Sequence, residues 1–176
     1  MRDVLLYVTA SLMLTAPLSE AAAEPAKQAC APGPATMPLE LMQWPSRSPA
    51  SAATKVSELA SAPLVIGAAV NATLRPSADV QYVVPPGKPG EPSSFGGMFE
   101  FTVVQAGTYR VALGAGSWAT VLSGKKPVVS AAHGRGPDCS GIRKMVDFEL
   151  KPGDYVLQLE SGAETPMAIM IARMPE

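Results

Sequence analysis

The sequence predicts an all-β fold, an antiparallel β-sandwich of jelly-roll or immunoglobulin-like type, and three observations carry that expectation. From residue 63 onward, short apolar runs alternate with clusters of Gly, Pro, Asp and Ser, the punctuation of strands and tight turns. Eighteen prolines and fifteen glycines in 176 residues work against long helices. Two stretches read as copies of one strand–Gly–strand unit. Phe101 through Gly107 and Tyr109 to Leu113 parallels Phe148 through Gly153 and Tyr155 to Leu159, with the second turn one residue shorter.

The chain opens on Met1-Arg2-Asp3, continues with an uncharged run over 4–18, and leaves it through Ala21-Ala22-Ala23. That layout predicts a secretory signal peptide over 1–23, cleaved after Ala23. The run is short for a membrane span, which needs about 20 apolar residues. The approach to Cys30, Ala26-Lys27-Gln28-Ala29, is charged and polar, unlike a lipoprotein signal. Cleavage leaves 176 − 23 = 153 residues, enough for one domain with a core. It removes Arg2, Asp3 and Glu20, so the basic count falls from 14 to 13 and the acidic count from 15 to 13. A neutral chain argues against nucleic acid and against an anionic membrane surface as partners. No other segment is apolar and long enough to be a transmembrane segment, so the expected location is periplasmic or secreted. In an oxidising compartment Cys30 and Cys139 are expected to form one disulfide. The loop-entropy model values such a closure at roughly 4–5 kcal/mol before native strain.

Residues 24–62 are expected to be an extended tail and linker, and residues 63–176 the sandwich domain. Within the tail, 38–44 has Pro at its start and can form a short helical turn. The stretch 45–62 is either a surface linker or a helix around 54–59. Strands are expected at 65–74, 80–84, 98–104, 107–113, 118–122, 127–131, 143–150, 154–159 and 167–172. The Pro- and Gly-rich stretch 85–97 is expected to be a long turn outside any sheet interior. Alternation points Phe99, Phe101 and Val103 inward, as it does Val146, Phe148 and Leu150. Tyr109, Val111 and Leu113 match Tyr155, Leu157 and Leu159. We expect each copy to be a hairpin, one per sheet, in a pseudo-symmetric sandwich.

The rare residues concentrate in 133–159, which holds the one histidine, His133, together with Cys139 and the pair Arg143-Lys144. Residues 133–144 read as a loop that presents Cys139, and 145–159 as a core hairpin. One histidine cannot build a two-His, one-carboxylate iron site, and a zinc site needs more His or Cys than remain once a disulfide forms. No metal or cofactor is therefore expected. Ser130, Ser140, His133 and Asp138 are the right types for a Ser-His-Asp set, but no G-x-S-x-G turn accompanies them. The bland account, that they satisfy turn backbone, is preferred, and no catalytic residue is expected. Alternation along Trp118-Ala119-Thr120-Val121 points Ala119 and Val121 inward and Trp118 outward. An outward Trp is a stacking platform for a sugar or an aromatic ring, and Arg110 is expected to share that surface. The competing expectation is that 39–44 covers this face, since large apolar patches are rarely exposed. His133 and Arg143 complete the candidate binding residues, Arg143 as an anion contact or a solvated strand start. Asn71-Ala72-Thr73 matches a glycosylation sequon.

Several of these blocks are similar to those of small exported proteins of alphaproteobacteria. They are the Cys near the mature start, Pro85-Pro86-Gly87-Lys88-Pro89-Gly90, Gly107 through Gly114 with Trp118, and Gly136-Pro137-Asp138-Cys139 through Gln158. The resemblance covers most of the mature chain, and its last block is the most specific. Sequences of this group often carry the name homogentisate 1,2-dioxygenase. The enzyme of that name is a much longer cupin that holds iron through two His and a Glu, a set one His cannot supply. The hairpins also resemble the accessory β-sandwich domains found beside secreted peptidases. With no catalytic set, a neutral charge and one outward Trp, the expected function is an exported, non-catalytic binding or accessory module of the cell envelope, for a glycan or an envelope protein. A ring-cleaving oxygenase is the alternative.

Overall fold

The computed structural model describes Cys30 and residues 36–87 and 90–175. The expected signal peptide, most of the tail over 24–38, and Lys88-Pro89 lie outside the described residues. The architecture is an all-β sandwich of two sheets. The strands are β1 (Arg47–Ser51), β2 (Ala69–Thr73), β3 (Arg75–Pro76), β4 (Phe95–Val103), β5 (Gly107–Leu113), β6 (Trp118–Ser123), β7 (Lys126–Pro127), β8 (Ser130–Gly134), β9 (Lys144–Leu150), β10 (Gly153–Gly162) and β11 (Met167–Arg173). Six strands form one sheet in the order β1-β2-β11-β5-β9-β8, and five form the other in the order β3-β4-β10-β6-β7. All pairs are antiparallel except β1–β2, which is parallel. Three short 3-10 turns, Leu39–Leu41, Val56–Ser61 and Ser77–Asp79, complete the elements.

The core lies between the sheets, built by the side chains that alternation points inward. Phe99, Phe101, Val103, Val121, Tyr155, Leu157 and Leu159 come from the five-stranded sheet. Val70, Tyr109, Val111, Val146, Phe148, Leu150, Ile169 and Ile171 come from the other. A second apolar cluster covers the outer face of the six-stranded sheet. There Ala69, Ala112 and Ala172 leave shallow ground on which Leu41 and Trp44 are buried, beside Ile142 and Met170. The Trp44 indole N–H donates to the Ser140 carbonyl at 2.9 Å, and the Arg47 guanidinium lies 4.7 Å from the centre of the ring.

The two copies are real, but they are not hairpins. Each starts in one sheet and ends in the other, since β4 and β10 share the five-stranded sheet while β5 and β9 share the six-stranded one. The copies pair with each other: Phe101 stands opposite Tyr155, and Phe148 opposite Tyr109. Gly107 and Gly153 sit where each copy enters its second sheet, with φ of 156° and 152°, values L side chains rarely adopt. Alternation identifies the inward residues equally well for a hairpin and for a crossover. It does not say whether those residues lie side by side or face one another across the core.

Other expectations change for local reasons. The stretch 80–84 is not a strand. Its backbone is held by the Thr54 carbonyl, which accepts from Gln81 N at 2.7 Å, and by the Gln158 amide, which bonds both Val84 N and Val84 O. The stretch 127–131 divides into β7 and β8, which lie in different sheets. The Val56–Ser61 turn falls close to the helix alternative at 54–59, while β1 and the bridge from Ala53 to Met98 of β4 tie the stretch 45–62 into the sheets. His133 belongs to edge strand β8 rather than to a loop.

Candidate functional site

The outer face of the five-stranded sheet carries the main candidate site. Inward Leu157 and Leu159 alternate with outward Gln158 and Glu160, yet these polar residues are buried too. The segment 82–87 crosses over them. The Glu160 carboxylate accepts from Gly87 N–H at 2.7 Å, from Gln158 Nε2 at 2.7 Å and from the Thr120 hydroxyl at 3.2 Å. A buried carboxylate needs such donors, because leaving its charge unsolvated and unpaired costs several kcal/mol. Glu160 and Gln158 thus fasten the crossing segment to the sheet. Tyr82, the first residue of that segment, donates to the Leu159 carbonyl at 3.3 Å. Burial pushes the Tyr82 hydroxyl pKa up, the Glu160 charge adds to that, and a hydrogen bond with Ser77 opposes it.

Trp118 stands directly opposite Glu160 in the β6–β10 register and is 46% exposed. Ala119 and Val121 face the core from the other side of the strand. A Cβ built on Gly87 would meet the Trp118 Nε1 at 2.9 Å, so only glycine lets the crossing segment pack this closely on the indole. The Lys144 ammonium lies 5.4 Å from the centre of the ring and donates to the Ser117 carbonyl at 2.8 Å. Lys144 occupies the core-facing line of β9 with Val146 and Phe148, so its side chain joins the two sheets at the mouth of the sandwich. Hollows flank the indole: one of about 250 Å³ reaches Pro85, Thr120 and Val128. Another, of about 360 Å³, is lined by Gly116, Ser117, Lys144 and Ser161. A third, of about 220 Å³, lies beyond Glu160 against Tyr82 and Glu91. The combination suits a flat ring laid on the indole with hydroxyl and charged groups at its edge.

The other sequence candidates lie elsewhere. Arg110 does not share the Trp118 surface, because β5 and β6 belong to different sheets. Its guanidinium makes two 2.8 Å bonds to Asp147, directly opposite on β9, and reaches Glu40 at 3.2 Å. The hydrogen bonds it donates to Asp147 raise its pKa further and hold it charged. Arg110 therefore anchors the 39–44 segment. That segment covers the six-stranded sheet and leaves Trp118 open, contrary to the competing expectation. His133 is exposed on β8, and Arg143 is exposed just before β9. Among the described residues no group of three His, Cys, Asp or Glu is placed to hold a metal ion. Ser140 serves its own turn, donating to the Pro137 carbonyl at 2.6 Å and accepting from Ile142 N at 3.1 Å. Neither cysteine is free, and both Cys30 and Cys139 are disulfide-bonded. No helix among the described residues is long and apolar enough to cross a membrane.

Glu160, Gln158, Gly87 and Tyr82 were not singled out by the sequence reading. The expected strand 154–159 stops short of Glu160, and no local signal says that the face opposite Leu157 and Leu159 is covered. The one available hint was the length of the Pro- and Gly-rich stretch after residue 84, since a loop that long must lie over something. The fold and the geometry together define an all-β sandwich with a half-open aromatic groove on one sheet. Neither a protein-family model nor a curated protein matches the chain.

Proposed function

We propose that this chain is an exported, non-catalytic binding module, and that its ligand is a glycan of the cell envelope laid on the outer face of the five-stranded sheet. The observation that carries the reading is Trp118, 46% exposed on a sheet strand and fixed by Gly87 and Lys144. A platform already fixed in place loses little freedom when a ring stacks on it. The hollows on both sides supply hydroxyl, carbonyl and ammonium groups for the edge of a sugar. Export rests on the signal-peptide pattern over 1–23 and on the disulfide.

The test is titration of the purified chain with soluble envelope oligosaccharides, followed by tryptophan fluorescence and calorimetry. Binding is expected to perturb the emission of Trp118, and Trp118→Ala is expected to abolish binding while leaving the circular dichroism unchanged. Binding that survives Trp118→Ala would remove the groove from the account. Loading with ferrous iron and homogentisate under anaerobic conditions, followed by admission of dioxygen, addresses the oxygenase alternative, and ring cleavage that then depends on His133 would establish it in place of a binding module.

A further inference from the structure

We propose that β8 is a docking edge for a second copy of this chain, pairing antiparallel with its counterpart about a two-fold axis so that two six-stranded sheets continue as one. The two sheets have four edges among the described strands, β1 and β8 in one and β3 and β7 in the other. Three of them are closed by proline, which has no N–H to offer a new neighbour. Pro49 lies in the middle of β1, and the two-residue strands β3 and β7 end in Pro76 and Pro127. β8 differs. It reads Ser130-Ala131-Ala132-His133-Gly134, without proline, lysine, arginine or carboxylate, and all five residues are exposed. Of the devices that usually blunt an edge, it has only a bulge between Ser130 and Ala132.

The features of this edge select the occupant. A new strand would lie about 4.8 Å away, its side chains beside those of β8. Ser130, Ala131, Ala132 and Gly134 are small on both faces and obstruct nothing. The incoming element must itself be an open, uncharged edge, and β8 of another copy meets that requirement where β1, β3 and β7 do not. Two such edges meet isologously, each copy giving the same surface. The charges allow it. His133 and Arg135 flank one end of β8, and an antiparallel partner brings the uncharged Val129-Ser130 end against them. Val129, 87% exposed, would then gain a neighbour.

Sedimentation equilibrium over a concentration series, combined with amide hydrogen exchange, tests this. The mass is expected to rise toward twice that of the monomer, with protection over 130–134 growing with concentration and β1 unchanged. Ala132→Pro is expected to hold the chain monomeric. Ala132→Lys keeps the backbone N–H, blocks the edge by charge, and is expected to do the same if the proline variant fails to fold. A wild-type chain that stays monomeric at every concentration overturns the proposal, and so does a dimer that survives both variants. A monomer whose β8 is protected only by an added extended peptide also overturns it, in favour of a peptide-binding edge.

Discussion

Tyr109 and Tyr155 occupy equivalent positions in the two copies and make the same hydrogen bond. Each hydroxyl donates to the carbonyl four residues upstream, Tyr109 to Gln105 at 2.8 Å and Tyr155 to Lys151 at 2.9 Å. Each bond closes the bend by which its copy leaves one sheet for the other. Tyr155 also accepts from Lys151 N at 3.2 Å and stacks on Phe101 with ring centres 5.6 Å apart. Tyr109→Phe is expected to destabilise the chain by about 1 kcal/mol, the net value of one such bond. Tyr155→Phe is expected to cost more, because two bonds are lost. Urea denaturation midpoints check both, and an unchanged midpoint for Tyr155→Phe would show that the bond does not hold the bend.

Arg110 ties three elements of the six-stranded sheet's outer face together: β5 through itself, β9 through Asp147, and the Leu39–Leu41 turn through Glu40. Its side chain is 16% exposed and that of Asp147 14% exposed, so truncating one partner leaves the other poorly solvated. Arg110→Ala is expected to cost about 3 kcal/mol. Arg110→Lys keeps the charge but loses the two-pronged contact and should fall between. Glu40→Gln keeps an acceptor for the 3.2 Å contact and should cost about 1 kcal/mol, the net value of one hydrogen bond. Denaturation of the three variants under one condition gives the order directly.

Gly87→Ala probes the groove without touching its polar groups. The added Cβ would lie 2.9 Å from the Trp118 Nε1, so either the indole or the crossing segment must shift. The expected result is greater acrylamide quenching of Trp118 with little change in stability, Trp44 being buried and shielded. Quenching identical to wild type would mean that Gly87 does not pack on the indole.

Alkaline pH reports on Tyr82. Its hydroxyl pKa is raised in the fold by burial and by Glu160. A raised folded-state pKa contributes stability that is fully present below the unfolded value and is lost as pH rises through the folded value. Stability should therefore decline above the ordinary tyrosine range, and Tyr82→Phe should lessen that decline. Difference absorbance between wild type and Tyr82→Phe isolates its phenolate, which should form later than that of free tyrosine. A Tyr82 that ionises at the ordinary value would contradict the burial of its hydroxyl against β10.

Trp44→Ala tests the second apolar cluster. Removing a fully buried indole from a bed of alanines leaves a cavity that small side chains cannot refill, and the expected loss is about 3–5 kcal/mol. Trp44→Phe should lose less, though it forfeits the bond to Ser140. A thermal melt of each variant beside the wild type measures the difference.

Much of this protein was determined by the sequence alone. Period-two alternation, with Gly and Pro between the runs, was enough for an all-β sandwich. It also identified which of Phe99, Phe101, Tyr109, Val146, Phe148, Tyr155 and Leu157 face the core, because a pleated strand sends successive side chains to opposite sides. The duplication was legible for the same reason, as was the outward direction of Trp118. Partnership was left to the tertiary structure. Hydrogen-bonded neighbours are chosen by contacts between residues far apart in the chain, and alternation is blind to them. That is why two expected hairpins became two crossovers that pair with each other, and why Arg110 and Trp118 came to lie on different sheets. It is also why Trp44 covers the six-stranded sheet while Glu160, just past the expected strand 154–159, is buried beneath the segment that makes the groove beside Trp118.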